Sequence, residues 1–226
     1  CKNTNIYPKF SNNGKFYFKS IKSSYGEEDV NKEIKTNDII NFTFTRTPIE
    51  DVVTMANVKY KKDYAVNEYS RVTGYCDTHD FFGNDDDQAG CLKSNGEIIS
   101  GFNYNSLGLN RESNILEFES DFIRTYGEAV QLRNRLLMEN CQQHTIIKCT
   151  LPLKYIGLES GDIIKFNKLY NDVKAYGENY TEQLKRNGQI IYPFFIITSI
   201  SKSKTNIKIE CRQLHNLEGQ FNSGLG

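Results

Sequence analysis

The side chains best able to do chemistry gather in one stretch: Asp77, His79, Asp80, Asp85, Asp86 and Asp87 fall within eleven consecutive positions. Hard cations such as Ca²⁺ take about six to eight oxygen ligands, which a pliant acidic loop can supply. The spacing is not that of an EF-hand loop, which needs D-x-[DN]-x-[DN]-G and a glutamate at its twelfth position. A solvated acidic loop is the plainer reading, because runs of like charge at loop tips are common. These six residues are carried forward only as metal candidates, and no cofactor is assigned.

The other reactive types are scattered. His79, His144 and His215 never approach a metal-ligand spacing such as H-E-x-x-H. His144 follows a predicted helix, where a cation meets the negative end of the helix dipole. Cys141 lies three residues before it, but Cys141 falls on the apolar stripe of that helix. A reactive thiol needs an exposed, electropositive setting. There is no G-x-S-x-G, G-x-x-x-x-G-K-[ST] or G-x-G-x-x-G sequence. Twenty-eight acids contain pairs able to converge as in glycoside hydrolysis, yet nothing singles one out. No catalytic residue is assigned, and the expectation is a protein that is not an enzyme.

The elements that would position any site read mostly as strands. Residues 14–22 (GKFYFKSIK) and 38–47 (DIINFTFTRT) alternate apolar with polar side chains, the period of a half-buried strand, with Ile40, Phe42 and Phe44 on one face of the second. The polar run 58–64 (VKYKKDY) suits an edge strand. Residues 76–114 are crowded with Gly, Asn, Asp and Ser and read as a long connector. Thr125 and Glu128 then form a T-x-x-E capping signal ahead of Ala129, Leu132, Leu136, Leu137 and Cys141, predicting a helix over 126–142. Strands follow at 145–151 and within 158–166, and a β-hairpin joins 194–200 to 206–214. The polar, tyrosine-rich stretch 167–192 reads as a loop.

This order predicts a mainly β chain of the α+β class, an antiparallel barrel or sandwich with one long covering helix. The expected division is an N-terminal β-rich domain over 1–75, a connector or loop insertion over 76–118, and a C-terminal β domain over 119–226 that contains the helix.

Bulk properties narrow the function. Lys plus Arg equals Asp plus Glu at 28 each, so no net field draws the 226-residue chain to nucleic acid. The mean hydropathy is −0.57, and the longest apolar stretch, 190–200, contains a proline and falls short of the roughly 20 residues of a spanning helix. Fourteen Tyr and fourteen Phe with no Trp favour strands and protein interfaces. Six cysteines without a C-x-x-C pair are expected as reduced, mostly buried thiols, with Cys76 and Cys91 the one pair to test for a disulfide. The chain starts at Cys1 with no recognisable secretory leader and is expected to be a segment of a longer protein.

From 119 to 166 the residues resemble a known family. Ala129, Leu132, Leu136 and Leu137, then Thr150, Leu151, Pro152 and Leu153, then Leu158, Glu159, Gly161, Asp162, Ile163 and Ile164 look like the C-terminal tube-type domain of bacteriophage tail hub and tail tip proteins. The run NGQIIYPFFIITSI followed by NIKIECRQL resembles the strand pair closing such domains, and 51–64 resembles more loosely the segment before them. The insertion at 167–192 departs from the pattern. The resemblance implies a baseplate-hub-like virion structural protein, assembled in the host cytoplasm. It further implies a trimeric ring of tube-like barrels that meets the tail tube on one side and tip or fibre proteins on the other. A carbohydrate- or receptor-binding module is the alternative, since tyrosine-rich loops with Asp and Asn neighbours suit sugars. A divalent-metal enzyme built on 77–87 stands last.

Overall fold

The computed structural model describes residues 6–20, 22, 25–77, 91–94, 97–100, 107–141, 143–169, 173–177 and 193–214. The chain is mainly β with one long helix. It packs into two compact units, one of residues 1–47 with 144–226 and the other of residues 48–143. That partition cuts across the expected divisions at 75 and 118. The cause is long-range strand pairing, since the strand over 41–46 finds its partner beyond the helix.

In the first unit the strands are β1 (Ile6–Phe10), β2 (Phe16–Ser20), β3 (Lys32–Ile34) and β4 (Asn41–Arg46), with further strands from the C-terminal half. The second unit holds β5 (Met55–Asp63), β6 (Glu68–Val72), β7 (Cys76–Asp77), β8 (Cys91–Ser94), β9 (Glu97–Ser100), β10 (Ile115–Glu119) and the helix α1 (Tyr126–Asn140). The first unit is completed by β11 (Thr145–Pro152), β12 (Ile163–Phe166), β13 (Phe194–Lys202) and β14 (Asn206–Gln213).

Six strands of the first unit form one sheet in the order β3-β12-β13-β14-β11-β4, curled into a half-barrel. The predicted strands at 145–151 and 158–166 and the 194–214 hairpin all lie in it. Its register follows the apolar alternation. Phe42 and Phe44 sit opposite Cys149 and Ile147, which in turn sit opposite Ile209 and Cys211. A slip of one residue would turn every one of these side chains to the other face. Together with Ile34, Leu151, Ile164, Phe195, Ile197 and Ile207 they make the core, where Phe166 meets Phe195 edge to face at 5.4 Å. Gly161, at φ +84°, makes the turn into β12 that a Cβ would strain. The sheet is not wholly antiparallel as expected, because β12 pairs with β3 in parallel. Ile40, expected beside Phe42 and Phe44, is exposed.

In the second unit β5 is central. It pairs with β10 in parallel and with β6 and β7 antiparallel. Residues 58–63 of the run 58–64, expected as an edge strand, therefore belong to the central strand of this sheet. Its neighbour β10 lies in the stretch read as connector, whose turn-forming residues mask it, and that stretch also carries β7 and the β8–β9 hairpin. Helix α1 covers one face, burying Ala129, Leu132 and Leu136 against Val58 and Tyr60. Its N-terminus is capped as predicted, with Thr125 Oγ1 accepting from the Glu128 N–H at 3.4 Å. It ends at Asn140, two residues short of the expected end.

The β1–β2 hairpin inverts the expectation for residues 14–22. Its aromatic face is exposed, and its polar face lies against the turn that holds Glu159 and Asp162 in the same unit. No helix among the described residues is long and apolar enough to cross a membrane.

Candidate functional site

Two surfaces of the first unit carry arrangements that packing alone does not require. One is the open face of the six-stranded sheet. Every second residue of β11 and β14 points away from the core, which places Lys148 directly opposite Glu210, their charged groups 3.1 Å apart. Around this pair Asn41, Thr43, Thr150, Ser199, Ser201 and Lys208 line an open depression of about 300 Å³. Hydroxyls, an amide, the Lys148–Glu210 pair and the further cation of Lys208 make a hydrogen-bonding wall of mixed charge. The sequence pattern showed which residues face outward but not that a bulge between Ile197 and Ser199 on β13 shifts the register there.

The ends of this sheet are β3 and β4, and neither has a second strand partner among the described residues. An unpaired edge offers backbone N–H and C=O groups to another chain. Part of β4 is capped: Tyr176 stacks edge-on against Phe44 at 5.3 Å and beneath the Arg46 guanidinium at 4.0 Å.

The second surface is the seat of the β1–β2 hairpin. Lys9 Nζ lies 2.9 Å from Glu159 Oε2 and 3.2 Å from Asp162 Oδ1, and all three groups are largely withdrawn from water. Glu159 also accepts from the Asn12 N–H at 2.6 Å and the Tyr17 hydroxyl at 3.1 Å, while Lys19 donates to Gly161 O at 2.9 Å. Burial by itself depresses the Lys9 ammonium, but hydrogen bonds with Tyr17, Glu159 and Asp162 outweigh it and hold Lys9 above the ordinary lysine range. For Glu159 burial likewise opposes the charge, and bonds from Lys9, Asn12 and Tyr17 keep the carboxyl below its ordinary value. Both groups are charged over the whole neutral range. Glu159, Gly161 and Asp162 entered the sequence reading only as part of the L-E-x-G-D-I-I resemblance. Their part in holding the hairpin had no local signal, since Lys9 lies far away in the chain.

Of the metal candidates, Asp77 is buried on β7, and its carboxylate meets the Arg111 guanidinium at 2.7 Å. His79, Asp80, Asp85, Asp86 and Asp87 lie outside the described residues, as do the side chain of Cys91 and all of His215. Among the described residues no three His, Cys, Asp or Glu side chains converge in a metal-binding group. His144 is buried at the start of β11, with Nδ1 3.0 Å from Gln213 O, so it ties β11 to β14. Cys141 is completely enclosed, and burial pushes its thiol far above the range of a nucleophile. Cys149 is pushed up to about 12 by burial in the sheet core, and Cys211 beside it is raised as well.

No family model and no curated protein matches the chain. Three of the solved structures that are similar to it follow. The virion of a native gene transfer agent particle gives a TM-score of 0.47 at 11% identity, over 83% of this chain and 32% of that one. The 43 kDa tail protein of prophage MuSo2 from Shewanella oneidensis gives 0.42 at 10%, over 97% and 53%. Prophage tail protein gp18 from Listeria monocytogenes EGD-e gives 0.40 at 15%, over 95% and 49%. The chain thus spans about a third to a half of the proteins it matches.

Proposed function

We propose that this chain is a structural, non-enzymatic component of a bacteriophage tail, a hub or tip protein that joins the tail tube to tip or fibre proteins as a closed trimeric ring. The observation that carries this reading is the six-stranded half-barrel with one apolar and one polar face, both of whose end strands lack a further strand partner among the described residues. A curled sheet of this kind gains pairing for its edges when copies join around an axis, and its mixed-charge face then lines the ring. The resemblance of residues 119–166 to tail hub and tip proteins supplies the partners and the symmetry. The reading calls for no cofactor, no specific nucleic acid and no membrane span.

The test is imaging of assembled tails, together with light scattering on the full-length protein. Closed trimers seated at the end of the tail tube are expected. A protein that stays outside tail structures and never associates at working concentration would overturn the proposal.

A further inference from the structure

The neutral chain conceals two oppositely charged units. Residues 1–47 with 144–226 hold 19 of the 28 Lys and Arg against 12 of the 28 Asp and Glu, while residues 48–143 hold the other 9 bases and 16 acids. Within the basic unit the surplus is steepest at its start. Residues 1–26 contain Lys2, Lys9, Lys15, Lys19 and Lys22 and no acid at all.

That same segment presents an unusual surface. Phe10, Phe16 and Phe18 form a ladder on the outer face of the β1–β2 hairpin, ring centroids 5.0 Å apart at each step, and are 71%, 51% and 61% exposed. The clamp at Lys9, Tyr17 and Lys19 holds the opposite face down, so the aromatic face is presented on a fixed support and loses little freedom on docking. With roughly 200 Å² per ring, the ladder exposes about 350 Å² of apolar surface, the size of the largest patch on a typical monomer, which is often functional.

Size and charge together select the occupant. One side of a standard interface covers about 800 Å², so the ladder is the anchor of a larger contact. Two hairpins meeting face to face would bury only about 700 Å² in total, within the range of incidental contacts, and would bring lysines against lysines. The receiving surface must be apolar and acidic. Such a surface exists on the second unit, along β10, an end strand whose outer edge has no strand partner among the described residues. Ile115, Glu117 and Glu119 are exposed on β10, with exposed Val72 on β6 of the same sheet, exposed Tyr75 in the link between β6 and β7 donating its hydroxyl to Glu117 at 2.6 Å, and Phe122, 78% exposed, just past the strand end. Lys59 bridges Glu117 and Glu119 at 3.2 and 3.4 Å and offsets one of the two charges.

We propose that the aromatic face of the β1–β2 hairpin of one copy docks on the β10 face of a second copy of this chain, in head-to-tail order. A contact between two different patches of the same chain generates rings when its rotation closes. The inference rests on the assembly reading above and names the surface that anchors it.

Sedimentation equilibrium on the full chain tests it, with circular dichroism confirming that each variant is folded. Phe16→Ser with Phe18→Ser is expected to weaken association roughly tenfold or more, as for loss of an interface anchor. Lys15→Glu alone, and Glu117→Lys with Glu119→Lys, should each weaken it in a salt-dependent manner. Combining Lys15→Glu with Glu117→Lys and Glu119→Lys should recover association towards wild type, because the two charges are exchanged together. If the wild type forms closed rings that the phenylalanine variant leaves unchanged, this inference falls and the assembly reading stands. A wild type that stays monomeric at every concentration overturns both, and capture of the hairpin by a different tail protein overturns the second-copy assignment alone.

Discussion

The six-stranded sheet and the N-terminal hairpin share one sequence pattern and use it in opposite senses. Along β14, Ile207, Ile209 and Cys211 are buried while Lys208 faces out. Along β2, Phe16 and Phe18 face out while Tyr17 and Lys19 reach toward Glu159, Gly161 and Asp162. Period-two alternation guarantees a strand with two unlike faces, but what lies beneath decides which face is covered. Under β14 there is an apolar layer; under β2 there is a pair of partly buried carboxylates. Polar burial of this kind succeeds only with matching charges, so Lys9, Glu159 and Asp162 form a set from which no member can be removed cheaply.

The contrast can be broken first where it is strongest. Phe195 is fully buried against Phe166, and Phe195→Ala is expected to destabilise the first unit by about 3–5 kcal/mol, as for other large-to-small core changes, read from the urea midpoint. Glu159→Gln attacks the hairpin instead, removing the charge that accepts from Lys9, Asn12 and Tyr17. Because the hairpin can lift away and rehydrate Lys9, the loss is limited to its docking energy, about 1–3 kcal/mol for hydrogen bonds to a charged group. Hydrogen exchange should quicken in β1 and β2 with β14 unaffected. Equal quickening in β14 would show that the hairpin is not separable from the sheet.

Acidity gives the same distinction without mutation. The Glu159 carboxyl is lowered on folding, so its contribution is present above the ordinary glutamate value near ~4.3 and is lost as pH falls through the lower folded value. Lys9 is raised, so its contribution is complete below the ordinary lysine value near ~10.4 and is lost as pH rises through the higher folded value. Amide chemical shifts of β1 and β2 should therefore stay constant between about pH 5 and 9 and move below about pH 4. Movement near neutrality would mean that another group controls docking.

Particular residues show why part of the structure was legible in the sequence. Thr125, Glu128 and the stripe from Ala129 to Cys141 announce a helix because capping and the 3.6 period are local signals. The strands β11, β13 and β14 declare themselves by alternation, and the resemblance covers them. The pairing of β4 with β11 and of β10 with β5 joins segments far apart in the sequence that meet only in the folded state, so the unit boundaries were hidden. The β10 strand is short and lies among turn-forming residues, and the parallel order of β3 beside β12 has no hairpin turn to mark it. The Lys9 clamp was invisible for the same reason, since nothing near residue 9 indicates residues 159 and 162. Charge separation between the units became readable only once their boundaries were known.

Two smaller effects sharpen the comparison. Thr125→Ala removes the hydroxyl that caps α1, and a loss of about 1 kcal/mol in the second unit is expected from thermal unfolding, with the first unit unchanged. Phe16→Ser with Phe18→Ser should be nearly silent in the isolated chain, within about 0.5 kcal/mol, although two phenylalanines are lost. The rings touch each other and are exposed, and no core cluster among the described residues of the first unit includes them. Some of the mutual stacking is lost, but the unfolded chain also stops carrying two exposed apolar groups, and the two changes oppose each other. Chemical denaturation at a concentration where the chain is dilute and monomeric measures this directly. A drop comparable to that of Phe195→Ala would place the hairpin phenylalanines in a packed core, and the inverted hairpin would no longer describe the first 20 residues.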